Sequence, residues 1–506
     1  MNAPAKSLML NHMNAHEVSV GSRRLLFHIP TTGLFDLDPL SAELLDLARE
    51  MEGAGGVAPG DLKARFDGRY SVDQVIDVVE ELLDLDVLVR PDRPSAIRSF
   101  PKVDRFPLST IVLNVTTGCN LACSYCYKED LDTPAQSRDM EYETACQSID
   151  LLLKEAVGRD RVNVVFFGGE PLRRFDFIKK VVTYALDKAR AAGKGVDFSV
   201  TTNATLLNEE IVDYLNAHNF SLAISMDGPK SLHDKNRLTV GGKGSYDAVA
   251  KKVRMALERF TARPVAARVT LTAGVTDVEA IHRHLRDELG FAEVGYAPVT
   301  SGDISLFNLS SEELYAVFEG FKRLGAEYLE AALEGRNTGF ANLHQMMTDL
   351  HQGTRKALPC GAGVGLLAVD HEGGLNLCHR FTGSDLPTYG DVENGIAKEE
   401  LGEFLTGRLD KTGTDCASCH IRSLCAGGCY HESYARYGDP QHPTYHYCDL
   451  MRDWVDYGIS VYARLIEERP DFFDNHIGPR GGHQQVTIGG SGHEALGAGS
   501  LTAGPA

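Results

Sequence analysis

The chain has 506 residues, 43% of them hydrophobic, and 70 acidic against 51 basic side chains, for a net charge of −19. That length allows two to four domains around a large buried core, and the acidic balance argues against a general binder of nucleic acid. The opening MNAPAKSLMLNHMNAHEV lacks a basic start followed by a long apolar stretch, and no apolar run is long enough to cross a membrane. The chain is therefore expected to be cytoplasmic. In that compartment its eleven cysteines point to metal binding or redox chemistry rather than disulfides.

Residues 15–92 are predicted to form a separate module. HEVSV and RRLLFHIP alternate around Gly21–Ser22, which predicts a hairpin. LSAELLDLARE and SVDQVIDVVEELLDLDVLV carry apolar residues at helical spacing, the second with Ser71 as N-cap. Strands followed by helices give a winged-helix layout. GLFDLDPLSAELLDL and VEELLDLDVL resemble the recognition domains that grip the leader of a precursor peptide, which implies strand addition at an open hairpin edge. A DNA-binding winged helix or an inert cap are the alternatives, and the acidic second helix weighs against DNA. RPDRPSAIRSFPKVDRFP then reads as a proline-marked linker.

From 108 to about 310, short apolar runs alternate with amphipathic ones. TIVLNVT, NVVFFGG, VDFSVTTN, SLAISMD and ARVTLTA read as buried parallel strands, with a sixth at GYAPV. This β–α repetition predicts an α/β fold whose parallel sheet closes wholly or partly into a barrel. After the first strand comes TTGCNLACSYCYKED, in which Cys119, Cys123 and Cys126 are spaced CX3CX2C. Three thiolates on one loop hold three irons of a [4Fe–4S] cluster and leave the fourth open to a small chelating molecule. A zinc knuckle or three plain buried thiols are the alternatives. Tyr125 lies between two of the ligands, where it would pack over a cluster or a bound molecule.

Gly168-Gly169-Glu170-Pro171 follows the second strand. Its glycines allow a close backbone approach, and Glu170 offers a carboxylate to an ammonium. Asn203 follows the third strand, Ser225 and Asp227 the fourth, and Arg237 lies in HDKNR downstream. In this order the motifs resemble those of radical S-adenosylmethionine (SAM) enzymes over residues 108–300. The resemblance implies a partial (β/α)6 barrel, with Gly168, Gly169 and Glu170 receiving the SAM amino group. It further implies Ser225 and Arg237 on the SAM carboxylate, and it places Pro298 near the adenine edge. Ala204 stands where the family usually has glycine. Asp227 reads either as a base beside the substrate or as a helix cap.

Residues 311–357 read as a helical bridge. Beyond them lie Cys360, Gly373, Cys378, Cys416, Cys419, Cys425, Cys429 and Cys448, spaced CX12GX4C, then CX2CX5CX3C, then C. A zinc ribbon would account for the four central cysteines but not the full set. The whole pattern, over 358–470, is similar to the SPASM domain of peptide-modifying radical SAM enzymes. That resemblance implies two auxiliary [4Fe–4S] clusters, making three in all. Cys416, Cys419, Cys425 and Cys448 would hold one, and Cys360, Cys378 and Cys429 the other. Some relatives place a further thiolate six residues after the first SPASM cysteine; here that residue is Leu366. The second cluster then has an open iron or takes His371 or Asp370. Cys146 reads as core. The tail from about 475, rich in Gly and small polar residues, is predicted to be disordered.

The family picture implies reductive cleavage of SAM and hydrogen abstraction from an unactivated carbon of a ribosomally made polypeptide. The N-terminal module and the SMDGPKSLHDKNR loop resemble maturases that install Cys-to-Asp/Glu thioethers in the small subunit of quinohemoprotein amine dehydrogenase. Maturases of other Cys-rich peptides resemble it as well. A sulfatase-type maturase, oxidising one residue, is a further reading, and a non-catalytic iron–sulfur protein or peptide chaperone is another. The implied partners are the Cys-rich polypeptide with its leader, a flavodoxin or ferredoxin as electron donor, and a protease and flavin enzyme of the same pathway.

Overall fold

The structure is a computed structural model that describes residues 7–90, 103–126, 137–300, 304–443 and 446–477. In the N-terminal module, β1 (Ala15–Val20) and β2 (Arg23–His28) form the expected hairpin across Gly21. A third strand, β3 (Gly33–Asp36), pairs with the other side of β2. α1 (Pro39–Glu50) begins at Asp38, whose side chain accepts from the Ser41 amide at 2.7 Å. α2 (Pro59–Phe66) follows, and α3 (Val72–Asp84) is capped reciprocally by Ser71 and Gln74. Leu26, Leu44, Leu45, Phe66 and Val87 close a small core of the module's own.

One side of the hairpin is taken by a third strand. β1 packs along the C-terminal helix, and β3 takes the far side of β2. β1 and β3 are the two edge strands of this sheet. Four residues, GLFD, are too few to show a strand period, and only pairing with β2 makes them one. Most of the proline-marked linker, 91–102, lies outside the described residues.

The next six strands are parallel neighbours in chain order: β4 (Thr110–Asn114), β5 (Arg161–Phe167), β6 (Gly195–Thr202), β7 (Ser221–Ser225), β8 (Ala266–Leu271) and β9 (Glu293–Pro298). Between them run α4 (Tyr142–Glu155), α5 (Phe175–Ala191), α6 (Glu209–Ala217), α7 (Lys230–Asn236), α8 (Tyr246–Arg259) and α9 (Val278–Arg283). Runs such as VVFF become strands because both faces are covered, so every side chain needs an apolar neighbour. Strand order is linear, so the sheet is an open, partial barrel. Cys146 on α4 is buried in this core, as expected.

β4 is not an edge. β10 (Leu366–Val369), from the cysteine-rich C-terminal region, lies parallel to it with Leu366 opposite Thr110. β11 (Leu375–Asn376) turns back antiparallel on β10. α10 (Ser311–Leu333) and α11 (Ala341–Gln352) occupy the bridge predicted over 311–357. Then come α12 (Lys398–Leu409), α13 (Tyr430–Tyr437), α14 (Cys448–Glu468) and α15 (Asp471–His476). α14 packs against α10, α11 and β1, so the C-terminal region touches both other parts of the chain. α15 runs past the expected boundary at 470 because Phe472 and Phe473 are fully buried. Residues 478–506, nearly all of the predicted tail, lie outside the described residues.

Candidate functional site

Cys119, Cys123 and Cys126 sit on the loop that leaves the C-terminal end of β4. That loop is docked onto the segment after α7: the Ala122 amide donates to Leu238 O and the Ser124 hydroxyl to Asn236 Oδ1, each at 2.8 Å. Burial pushes the Cys119 thiol up to about 11 and Cys123 up to about 12. Thiols so placed ionise only when a cation replaces the proton.

Gly168 and Gly169 have a sharper requirement than ligand access. A Cβ at Gly168 would lie 2.3 Å from Thr116 O, and one at Gly169 would lie 2.3 Å from Gly118 O. The glycines let this loop lie directly on the cysteine loop, with the Gly169 amide donating to Thr116 O at 2.9 Å and the Glu170 amide to Gly118 O at 3.0 Å. Glu170 is completely buried. Its carboxylate accepts from the Leu172 amide at 3.0 Å, the Thr202 hydroxyl at 2.8 Å and the Asn203 amide at 2.8 Å. Burial outweighs these donors and lifts its pKa to about 7. A carboxylate offers about four lone-pair sites, so three donors leave room for one more, such as an ammonium.

Asn203 reaches back to the cysteine loop, its side-chain amide donating to Asn120 Oδ1 at 3.0 Å and lying 3.6 Å from Cys119 Sγ. Ala204 holds φ at 64°. The loop has thus kept the left-handed turn that glycine favours, at a steric cost of about 1 kcal/mol for the extra Cβ.

Asp227 is not the helix cap, one of the two roles expected for it. α7 begins at Lys230 after Pro229, so Asp227 does not cap it. Its side chain is 1% exposed and behind the cavity wall. Oδ2 accepts from the Tyr125 hydroxyl at 2.7 Å and from Arg237 Nε at 2.9 Å, and Oδ1 accepts from the Thr270 amide at 3.0 Å. With three donors in place it is an anchor: it fixes Tyr125, whose ring lies 5.6 Å from the Arg237 guanidinium, and it holds the guanidinium in position.

These groups converge on a cavity of about 760 Å³. Its lining includes the three cysteines, Tyr125, Gly168, Gly169, Glu170, Asn203, Ser225 and Arg237, so the structure brings together every motif residue of the barrel except Asp227. Pro298 also lines it, as the last residue of β9. The lining also includes residues that sequence reasoning missed: Arg268 from the middle of β8, and His379 and Arg380 directly after Cys378. The Arg268 side chain is exposed to the cavity and makes no hydrogen bond or ion pair among the described residues. An arginine inside ARVTLTA, an otherwise apolar buried run, was the available signal. His379 lies against the Phe167 ring at 4.2 Å.

The C-terminal cysteines fall into two groups. Cys360, Cys378 and Cys429 act on one another electrostatically, and so do Cys416, Cys419, Cys425 and Cys448. Burial raises Cys378 to about 12 and Cys416 to about 11. Among the described residues, no three cysteine sulfurs all lie within 4.8 Å of one another. Thiolates on a single zinc ion would sit about 3.8 Å apart, a spacing that no three of these sulfurs share.

Asp370 does not join the Cys360 group. Its oxygens accept from the Glu372 and Gly374 amides at 3.0 and 2.9 Å and from the Asn376 side chain at 3.1 Å, which shapes the β10–β11 turn. His371 faces Glu372 instead, at 3.7 Å. Arg408, fully buried, ties the cysteine loops together by donating to the carbonyls of Gly427 (2.7 Å), Gly428 (2.8 Å), Gln441 (2.9 Å) and His442.

Comparison with known proteins agrees with this geometry. The profile of the radical SAM superfamily matches residues 113–286. An uncharacterized protein of Archaeoglobus fulgidus is 27% identical over 379 residues, 71% of this chain and 82% of that protein. A cysteine-type anaerobic sulfatase-maturating enzyme of Clostridium perfringens is 24% identical over 378 residues, 71% of this chain and 98% of that protein. The solved structure of native anSMEcpe with bound AdoMet superimposes with a TM-score of 0.61 at 20% identity, over 71% of this chain and 99% of that one. The three-cysteine loop, the open sheet of parallel strands and the matched profile together identify a radical SAM domain over residues 113–286.

Proposed function

We propose that this protein is a radical SAM enzyme that modifies a ribosomally made polypeptide by forming Cys-to-Asp/Glu thioethers, with the small subunit of a quinohemoprotein amine dehydrogenase as substrate. The observation that carries this reading is the cavity, which is lined by the cysteine loop, Glu170 and Arg237 together with the two residues after Cys378. A [4Fe–4S] cluster with SAM supplies reductive cleavage of the sulfonium and hydrogen abstraction from carbon. Cys119, Cys123 and Cys126 would hold that cluster, and the two C-terminal cysteine groups would hold the auxiliary ones. An auxiliary cluster beside the cavity suits thioether formation, because closing the carbon–sulfur bond releases an electron that needs an acceptor.

This chain's own residues do the positioning. Glu170 receives the SAM ammonium, Ser225 and Arg237 its carboxylate, and Tyr125 with Asp227 keeps Arg237 in place. Arg268 offers a second guanidinium to a carboxylate, which fits an acidic acceptor residue in the polypeptide. The leader adds as a strand to the edge of β3.

Co-expression with the small subunit, followed by tandem mass spectrometry, tests the proposal. Loss of two hydrogens per cross-link, with Cys-to-Asp/Glu linked fragments, is the expected result. An unchanged mass alongside active SAM cleavage would reject this substrate. A thioether maturase of another Cys-rich peptide would then stand first. The likeness to the sulfatase-maturating enzyme favours a second reading, oxidation of one Ser or Cys. Yet that match spans nearly all of the relative and leaves over a quarter of this chain unaccounted for, and the N-terminal module precedes the matched radical SAM region.

A further inference from the structure

Tyr430 opens α13 directly after Cys429, and only 1% of it is exposed. Its hydroxyl has no hydrogen-bond partner among the described residues. Two side chains of α12 fix the ring. Phe404 lies 5.7 Å from it at 50°, and one turn on the Arg408 guanidinium stands 5.1 Å over its face. Arg408 is itself pinned by the carbonyls of Gly427 and Gly428, immediately before Cys429. The groups that act electrostatically on this phenol are Cys360, Arg408, Cys429 and Cys378. They include all three thiols of one C-terminal set.

On the reading that Cys360, Cys378 and Cys429 hold a [4Fe–4S] cluster, we propose that the Tyr430 hydroxyl donates a hydrogen bond to a sulfur of that cluster and raises its reduction potential. Burial is the first reason. A hydroxyl cut off from water without an acceptor costs free energy, and native structures seldom leave one. The acceptor is the second: thiolate and sulfide sulfurs carry negative charge, and hydrogen bonds to them are among the levers that set cluster potentials. Rigidity is the third. Rotation about a tyrosine's ring axis leaves its oxygen in place, so a ring held by Phe404 and Arg408 holds the hydroxyl as well.

The hydrogen bond bears on the proposed reaction through the electron that carbon–sulfur bond closure releases. Uptake of that one electron adds one negative charge to the accepting cluster. A donor at its sulfur stabilises the added charge and keeps its own proton, so no bond in Tyr430 breaks. Tyr430 touches neither SAM nor polypeptide, because it is not among the residues that line the cavity, whereas His379 and Arg380, next to Cys378, are. It acts only through the cluster, and its loss should be read in a potential rather than in binding.

The test uses the full-length protein with its clusters loaded, titrated potentiometrically without oxygen and followed by electron paramagnetic resonance, with iron counted in each sample. The midpoint lost in Cys378→Ala but kept in Cys425→Ala identifies the cluster concerned. In Tyr430→Phe, which removes only the hydroxyl, that midpoint is expected to move to a more negative potential, with iron content and the other midpoints at parent values. A 3-fluorotyrosine at position 430, a stronger donor of nearly the same size, should move it the opposite way, and it decides the matter should Tyr430→Phe lose iron. An unmoved midpoint, or one shift shared by all midpoints, would overturn the hydrogen bond and leave the cluster standing. Absence of any Cys378-dependent midpoint from the parent would overturn the auxiliary-cluster reading itself, and the hydrogen bond with it.

Discussion

At the scale of single residues, the buried Asp227–Arg237 pair separates an anchor from a base. An anchor lost should leave a buried guanidinium uncompensated, and breaking such a pair costs about 3–5 kcal/mol. Asp227→Asn is therefore expected to lower stability, SAM affinity and SAM cleavage together, measured by denaturation, equilibrium binding and 5′-deoxyadenosine release. Normal cleavage with loss of product alone would return Asp227 to the role of base. Arg268 makes the complementary case. Arg268→Met should raise KM for the polypeptide at least tenfold, about 1.4 kcal/mol, while SAM cleavage without polypeptide stays at the parent level. Equal losses in both assays would place Arg268 on SAM instead.

At the scale of elements, loops hold the site and a few buried polar groups hold the loops. His233, fully buried on α7, accepts from the Asp227 amide at 3.4 Å and donates through Nε2 to the Ser245 hydroxyl at 2.9 Å. Burial, and then the neighbouring Arg237, lowers its pKa to about 4. The folded state therefore binds fewer protons than the unfolded one between about pH 6.5 and pH 4. Stability falls as pH falls through that window, by roughly 3 kcal/mol. In denaturant titrations across that range, His233→Gln should show a shallower pH dependence than the parent; parallel curves would contradict the assignment.

Arg408 makes the same point in the C-terminal region. A lysine has one ammonium and cannot span carbonyls on two loops as a guanidinium does. Arg408→Lys is expected to lose iron from the C-terminal cysteine groups while SAM cleavage persists, read by iron counting and 5′-deoxyadenosine release. Full iron content would show that those loops hold without it.

At the scale of the whole molecule, the first cysteine set lines the cavity while the C-terminal cysteines lie on separate loops outside its lining, which predicts separable functions. Cys126→Ala should abolish SAM cleavage. Cys425→Ala should leave some uncoupled cleavage and block product, checked by measuring 5′-deoxyadenosine and modified polypeptide side by side. Cleavage by the Cys126 variant at the parent rate would remove the first cysteine loop from the proposed chemistry. Among the described residues, no helix is long and apolar enough to cross a membrane.

Much of this design is legible in the residues. Apolar runs separated by amphipathic ones give the six parallel strands, because a strand covered on both faces has no polar side to show. The spacing of Cys119, Cys123 and Cys126 gives a common loop, since ligands so close in sequence need no fold to bring them together. Ser71 followed by Gln74 gives the start of α3 through local hydrogen bonds alone. The tertiary structure decided the rest, for one physical reason: the contacts join residues too far apart in sequence to leave a local pattern. It made GLFD a strand by pairing it with β2, and it extended the sheet through β10. It turned Asp227 inward onto Tyr125, Arg237 and Thr270, and brought Arg268 into the cavity. The chemistry of the site was written in short motifs; which side chains face its cavity, and which stand behind the wall, followed only from packing.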